Sequence, residues 1–177
     1  GWGQVGPQPA QPVWLAMPPG AVQAMAWGGG AIFSVGSVAC QCGSCVQLPG
    51  AAVAVDVAAH PTVPFAVAVT SDGLSAFKND AVLDSVTLLD GAAPDRLGRV
   101  HITPSGSVWV VATVARPQWT FMARGTVSLT GVWGETWSRT YLPEVVGGAI
   151  SFWATDTPTP AAYVVAADGQ LARVDGL

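Results

Sequence analysis

The sequence predicts an all-β fold, and three observations lead to that prediction. Among the 177 residues, 21 are Gly and 14 are Pro, a composition typical of short strands joined by tight turns. Lys78 is the single lysine, and Glu135 and Glu144 are the only glutamates. Lys and Glu normally coat exposed helices, so their scarcity disfavours helical layers. The third observation is a phrase that occurs twice along the chain.

The repeated phrase spans residues 58–74 and 154–171. Each copy reads as a Pro-containing turn, an apolar strand, an Asp-Gly turn and a second strand. Asp72-Gly73 aligns with Asp168-Gly169, and the preceding prolines align at the same offset. Supersecondary units that recur far along a chain are typical of propellers and solenoids.

The chain divides into an N-terminal arm, residues 1–20, and a single repeat domain, residues 21–177. The arm is rich in Pro and Gly and contains one strand-like patch at 13–16, which Pro18-Pro19 should end. The domain divides into units of about 40 residues, within the range of a propeller blade. The predicted strands are 22–27, 31–35 and 38–41 in unit one; 53–58, 65–69, 74–77 and 82–89 in unit two; 99–102, 108–114, 119–123 and 126–133 in unit three; and 149–154, 163–167 and 171–174 in unit four.

Local signals justify these strands in order. In unit one, the glycines at 28–30 and Gly36 mark the two turns. In unit two, Val alternates with Ala or Asp over 53–58, the period of a half-buried strand. In unit three, residues 103–106 form a turn at the position that the His-Pro turn occupies in unit two. Unit four has three predicted strands and lacks a fourth. These features predict a small or partial β-propeller of about four short blades, with 13–16 as the strand that closes the last blade. A β-sandwich or jelly roll is the alternative.

Residues 55–79 resemble one repeat of a WD40-type β-propeller. They contain an apolar strand, a His60-Pro61 turn, a Ser-Asp-Gly turn and a strand in which Phe77 takes the place of the family's usual Trp. The second copy has Thr155-Asp156 in place of the His-Pro pair, and no Gly-His or Trp-Asp dipeptide occurs. The resemblance implies a protein-interaction scaffold.

Cys40, Cys42 and Cys45 form the sharpest local cluster. Three thiolates would hold zinc only if a fourth ligand, His60 or His101, folds in. The alternatives are free buried thiols, one local disulfide with a leftover cysteine, or a redox Cys-x-x-C, which normally opens a helix. The segment 46–50 suggests a turn instead, and we favour no metal.

The sequence lacks the motifs that are typical of several classes of function. The sequence contains no phosphate-binding glycine loop, no nucleophile elbow and no basic patch, so we expect no cofactor, no catalysis and no nucleic-acid partner. No apolar run reaches the roughly 18 residues of a membrane helix. The aspartates are interpreted as turn residues. An enzyme would need an acidic cleft built from Asp56, Asp72, Asp84 or Asp168.

The sequence therefore predicts a non-enzymatic interaction or assembly module within a larger complex, with a protein partner or a second copy. The alternative is an extracellular carbohydrate-binding or virion or cell-surface structural protein, because exposed Trp beside Gly can bind sugars or anchor partners. Four Trp on predicted strands are expected in the core: Trp109, Trp119, Trp133 and Trp153. The expected contact residues, taken to lie at one rim, are His60, Asp72, Lys78 and Asp168, with Trp27 and Trp137.

Deleting residues 1–20 is expected to lower the melting temperature sharply, because the last blade would lose its closing strand. Differential scanning calorimetry of the full chain and of 21–177 measures the difference. An unchanged melting temperature would contradict the closing role.

Overall fold

A computed structural model of the chain describes residues 21–27, 30–70, 73–88, 96–115, 118–142, 149–156, 159–166 and 168–177, with the backbone alone at 21–27, 30, 96–97, 113–115, 118–120 and 149–150. These ranges contain strands and one short 3-10 turn, Pro49–Ala51. No helix in the described part of the chain is long and apolar enough to span a membrane. The strands form four separate antiparallel sheets, which follow one another along the chain.

Sheets 1 and 2 are four-stranded meanders in which each strand pairs with the next. Sheet 1 consists of β1 (Ala21–Trp27), β2 (Gly30–Val35), β3 (Val38–Gln41) and β4 (Ser44–Gln47). Sheet 2 consists of β5 (Asp56–Ala59), β6 (Ala66–Val69), β7 (Gly73–Lys78) and β8 (Ala81–Thr87).

Sheet 3 is a third four-stranded meander, and sheet 4 has three strands in the described residues. Sheet 3 consists of β9 (Arg96–Ile102), β10 (Ser107–Ala115), β11 (Gln118–Thr126) and β12 (Ser138–Leu142). Sheet 4 consists of β13 (Ala149–Thr155), β14 (Ala161–Ala166) and β15 (Leu171–Asp175). The first strands of successive sheets contact one another, since β1 meets β5, β5 meets β9 and β9 meets β13.

Three hydrophobic cores lie between successive sheets. Ile32 and Ala39 of sheet 1 pack on Ala66, Ala68 and Phe77 of sheet 2. The largest of the three cores joins sheet 2 to sheet 3, and another joins sheet 3 to sheet 4. The arrangement is a series in which each sheet buries a face against the next.

The middle sheets are buried on both faces, and their strands show this directly. In β6, Val67 and Val69 point to sheet 3, while Ala66 and Ala68 point to sheet 1. In β10, Trp109 and Val111 face sheet 4, and the intervening valines face sheet 2. Because successive strand side chains point to opposite faces, a strand between two cores reads as a continuous apolar run.

Buried polar side chains connect neighbouring sheets. Gln41 of sheet 1 accepts a hydrogen bond from the Asn79 N–H at 3.1 Å. Asp56, on β5, accepts one from the Val100 N–H on β9 at 2.9 Å. Asp84, on β8, accepts one from the Trp133 N–H at 2.9 Å. Asp56 and Asp84 lie on strands, as predicted, and their carboxylates accept hydrogen bonds from backbone N–H groups of the adjacent unit.

The all-β prediction is confirmed, and β3 has the predicted bounds. Two strands were missed. β4 was predicted as a turn because Gly43 and Gly50 flank it, and β12 was left in a connection, where its residues are mostly polar. The strand predicted at 126–133 is wrong, because the Gly131 N–H donates to the Ser128 carbonyl and closes a turn there. Gly131 has a φ of +84°, which a β-strand does not allow.

The two copies of the repeated phrase occupy equivalent places, from the end of β5 into β7 and from the end of β13 into β15. Asp168 has the expected turn role, since its Oδ1 accepts the Gln170 N–H at 3.0 Å. Sheet 4 has no fourth strand among the described residues. The strand predicted at 13–16, and Asp72 of the first copy, lie outside them.

Asp56→Ala is expected to lower the unfolding free energy by about 1–3 kcal/mol, because the buried Val100 N–H loses its acceptor. Asp56→Asn keeps an acceptor oxygen and serves as the matched control. Urea unfolding measures both variants against the native chain. Equal stability of the Ala and Asn variants would show that the hydrogen bond contributes nothing.

Asp56 also makes the stability of the folded chain depend on pH. Burial raises the pKa of Asp56 above its usual value, opposed by the Val100 hydrogen bond, the Arg99 charge and the Val57 hydrogen bond. A raised folded-state pKa gives a contribution to stability that is present below the unfolded pKa and is lost as pH rises through the folded pKa. The stability of Asp56→Asn relative to the native chain should therefore be greatest at pH 7 and fall towards pH 4. A constant difference across this range would contradict the raised pKa.

Candidate functional site

A cleft of about 430 Å³ lies where the connections that follow β5, β9 and β13 come together. Pro61 contributes from the β5–β6 connection, His101 and Ser105 from the end of β9 and its turn, and Trp153 and Asp156 from β13 and beyond. Because β5, β9 and β13 are adjacent first strands, their chain direction brings these three turns to one rim. The volume is in the range of small-molecule sites.

Trp153 forms an aromatic wall of the cleft. Its side chain is 53% exposed, and its ring stacks on Tyr163 at 5.2 Å with an interplanar angle of 24°. The two residues are directly paired across β13 and β14, and Arg173 of β15 is paired with Tyr163. The Arg173 guanidinium lies 5.7 Å from the Tyr163 ring centroid. This cross-strand row orients Trp153 and leaves much of its surface to solvent.

A polar network lies beside this wall and joins sheets 3 and 4. The Ser105 hydroxyl donates to the Asp156 Oδ2, and the Ser105 Oγ is 3.2 Å from the Thr103 Oγ1. Arg124 donates to the Ser107 Oγ at 3.0 Å and lies 4.0 Å from the Asp156 Oδ1. Its guanidinium also covers the Trp109 ring at 5.3 Å. The carboxylate is therefore held in one orientation at the cleft.

Both titratable groups of the cleft have shifted pKa values. Burial of Asp156 raises its pKa, but hydrogen bonds from Ser105, Thr103 and Ser107, together with the Arg124 charge, bring the pKa below its usual value. Burial lowers the pKa of His101, although a hydrogen bond to the Ala154 backbone and the Asp156 charge oppose this. At neutral pH the cleft therefore holds an ionised carboxylate and a neutral imidazole.

Ser105, His101 and Asp156 share the cleft, but they are not arranged as a nucleophilic triad. A triad needs the serine hydroxyl to donate to the imidazole and the imidazole to donate to the carboxylate. Here Ser105 donates directly to Asp156, and His101 is hydrogen-bonded to the Ala154 backbone. The geometry suits the binding of hydroxyl groups rather than acyl transfer.

The predicted contact residues that the structure describes do not come together. His60 is buried, its ring packs on Phe65 at 5.0 Å, and its Nδ1 accepts the Thr62 N–H at 3.2 Å. Lys78 is exposed beside a separate cleft near Phe65. Asp168 lies in the β14–β15 turn. A meander places that turn at the opposite end of its sheet from the cleft, so the expectation of a single rim is wrong.

The tryptophans divide differently from the prediction. Trp109 and Trp133 are buried, as expected. Trp153 was predicted in the core but is exposed, because it lies on the face of sheet 4 turned away from sheet 3. Trp137 is half-buried, 5.9 Å from the Trp133 ring, and its indole covers Gly125, where a Cβ would meet it at 2.5 Å. Asp72 and the side chains of Trp27 and Trp119 lie outside what the structure describes.

Cys40 and Cys45 form a disulfide, and Cys42 is a free, exposed thiol. The bonded pair is directly opposite across β3 and β4, so the missed strand β4 explains why the cysteines are near one another. Two of the three predicted zinc ligands are thus consumed. Over the described ranges, no cluster of three His, Cys, Asp or Glu side chains could hold a metal.

No protein-family model matches the chain, and no curated protein is significantly similar to it. The cleft was not predicted because its residues come from three units that are distant in sequence. One difference was visible in the sequence: Thr155-Asp156 takes the place of His60-Pro61 in the repeated phrase, which puts a carboxylate at this turn.

Alkylation of the unfolded, unreduced chain is expected to modify Cys42 alone, because a disulfide has no thiolate to react. Reduction before alkylation should give three adducts, and intact-mass spectrometry counts them. Cys42→Ser should give none without reductant. Three adducts on the unreduced native chain would contradict the Cys40–Cys45 bond.

Proposed function

We propose that the chain is a non-enzymatic interaction and assembly module, a small propeller-like array that joins a larger complex through the free face of sheet 4. The observation that carries the proposal is the composition of that face. It presents Trp153, Tyr163, Val165 and Leu171, with Leu171 67% exposed, and the exposed Arg173–Asp175 ion pair lies beside them on the same face. Exposed aromatic and aliphatic side chains grouped among polar ones are typical of interaction sites.

The strand register explains why apolar side chains occur on both faces of sheet 4. Phe152, Ala154 and Val164 pack against sheet 3, and the residues between them form the free face. Sheets 2 and 3 have the same two-sided pattern, and both are covered twice. In sheet 4 the strands carry apolar side chains on both faces, but among the described residues only one face is covered by another sheet. The second face is therefore available to a further sheet.

Three features support a propeller-like array over a sandwich. Each sheet is a simple meander, with no strand of the described residues crossing to another sheet. The first strands of successive sheets are neighbours, as the inner strands of blades are. The repeated phrase occupies equivalent strands of sheets 2 and 4. These features also fit the WD40-type resemblance of residues 55–79, which we retain as part of the proposal.

The partner surface we propose is an apolar sheet face of a second copy. Every covered sheet in the chain is covered by another sheet of the same kind, and a second copy supplies one. Trp153 and Tyr163 provide the rigid aromatic area that dominates interface energetics. A contact between different faces of two copies would be head-to-tail and would form rings or chains.

Light scattering coupled to size-exclusion chromatography tests this proposal. The native chain is expected to show a mass above 18.0 kDa that increases with concentration. Leu171→Asp should return it to the monomer, because a charge in the apolar face opposes its burial. Leu129→Asp is the matched control: Leu129 is 64% exposed but lies in a turn after β11. A monomer at all concentrations would contradict the proposed self-assembly.

A further inference from the structure

We propose that the cleft formed by Pro61, His101, Ser105, Trp153 and Asp156 binds a neutral pyranose, such as the terminal sugar of a glycan. The inference goes beyond the assembly proposal, because it assigns a second site with its own ligand. It rests on an exposed aromatic wall beside fixed hydroxyl-binding groups, in a cleft of about 430 Å³.

The aromatic wall suits one side of a sugar ring. A pyranose presents a patch of C–H groups on one face and hydroxyls around its edge. The partly positive C–H groups pack on the electron-rich face of an indole. Trp153 lines the cleft, and Tyr163 stacks behind it at 5.2 Å. Because the cross-strand row already orients the indole, binding has little side-chain entropy to lose.

The polar groups suit the hydroxyl edge. The Asp156 carboxylate lines the cleft, with 17% of its side chain exposed, and accepts from Ser105. Asp156 accepts from Ser105, Thr103 and Ser107, and its Oδ1 is buried, so a sugar hydroxyl would reach the carboxylate at Oδ2. The Ser105 oxygen is shared with Thr103, and a hydroxyl oxygen has two lone pairs, so it can accept a second hydrogen bond from the sugar. Pro61, Ile102 and Pro104 complete the wall with apolar atoms, a mixture typical of small-molecule sites.

The charge of the cleft selects among sugars. The ionised Asp156 disfavours a ligand carboxylate or sulfate. Arg124, the cation that neighbours Asp156, is occupied by Ser107, Asp156 and the Leu177 carbonyl. His101 is uncharged at neutral pH, because burial lowers its pKa. Neutral pyranoses should therefore bind, and sialylated or uronic ligands should not.

Isothermal titration with methyl glucoside, methyl galactoside, methyl mannoside and N-acetylglucosamine tests the site, with sialyllactose as the acidic probe. A glycan array of neutral and acidic glycans extends the search. At least one neutral pyranose is expected to bind and the acidic probe to be silent. No neutral binder in either experiment, or binding by acidic glycans alone, would overturn the proposal.

Variants assign the binding to the cleft. Trp153→Ala should abolish detectable binding, and Ser105→Ala or Asp156→Asn should weaken it about tenfold or more, the loss expected from one hydrogen bond to a charged group. Tyr141→Ala is the matched control, because Tyr141 is 55% exposed on sheet 3 and does not line the cleft. Equal weakening by Tyr141→Ala would contradict the assignment.

The two proposals are separable. Trp153 belongs to both surfaces, so a second copy and a sugar compete for it. Leu171→Asp removes the competing contact and leaves the cleft residues unchanged, so it should bind sugar at least as tightly as the native chain while losing self-assembly. Ser105→Ala changes the cleft but not the face, so it should assemble normally. Melting temperatures confirm that each variant is folded. Sugar binding that is lost in Leu171→Asp and unchanged in Ser105→Ala would overturn the cleft assignment.

Discussion

Burial of sheet faces against successive sheets is the interaction on which the rest of the structure depends. Each meander alone is a few short strands, and an isolated sheet of that size is marginal in water. Three cores join the four sheets in series, so the stability of each sheet depends on its neighbours. This accounts for part of the low charge of the sequence, because the inner strands of sheets 2 and 3, such as β6 and β10, are covered on both faces. It also explains why the two ends of the series differ from its middle, since only an end sheet has a face without a neighbour from the same series.

Three carboxylates, of which Asp56 is buried and Asp84 and Asp156 are partly exposed, act within this packing as specific connections between units. Asp56 and Asp84 each bind a backbone N–H of the adjacent sheet, and Asp156 binds Ser105 across the third interface. Apolar packing alone tolerates sliding of one sheet over another, whereas a directional hydrogen bond to one backbone group opposes it. The three aspartates differ in environment. Burial dominates at Asp56 and raises its pKa, while hydroxyl donors and Arg124 outweigh burial at Asp156 and lower its pKa.

The same geometry produces both proposed functional surfaces. The register that buries Phe152 and Ala154 against sheet 3 turns Trp153 outward, where it belongs both to the free face of sheet 4 and to the rim cleft. The adjacent first strands bring the turns after β5, β9 and β13 together, and the network around Asp156 fixes the polar side of the cleft. Binding residues commonly lie on loops that a rigid scaffold holds in place. Here the turns at the rim would bind the ligand, and the buried strands would hold those turns.

The sequence by itself determined the all-β class, most strands and the equivalence of the two phrase copies, because these depend on local signals: alternation, Gly turns and scarce helix formers. It failed at β4 and β12, where the decisive interactions are pairing across a hairpin and across a sheet edge rather than the strand's own pattern. It also placed Trp153 in the core and His60 on the surface. Trp153 was misplaced because alternation shows that a strand has two faces, but only the packing of sheets decides which face is covered. His60 was misplaced because it follows β5 in a connection, where its ring packs on Phe65 instead of facing solvent. The cleft was decided wholly by tertiary structure, since its residues come from three separated turns that only the alignment of β5, β9 and β13 brings together.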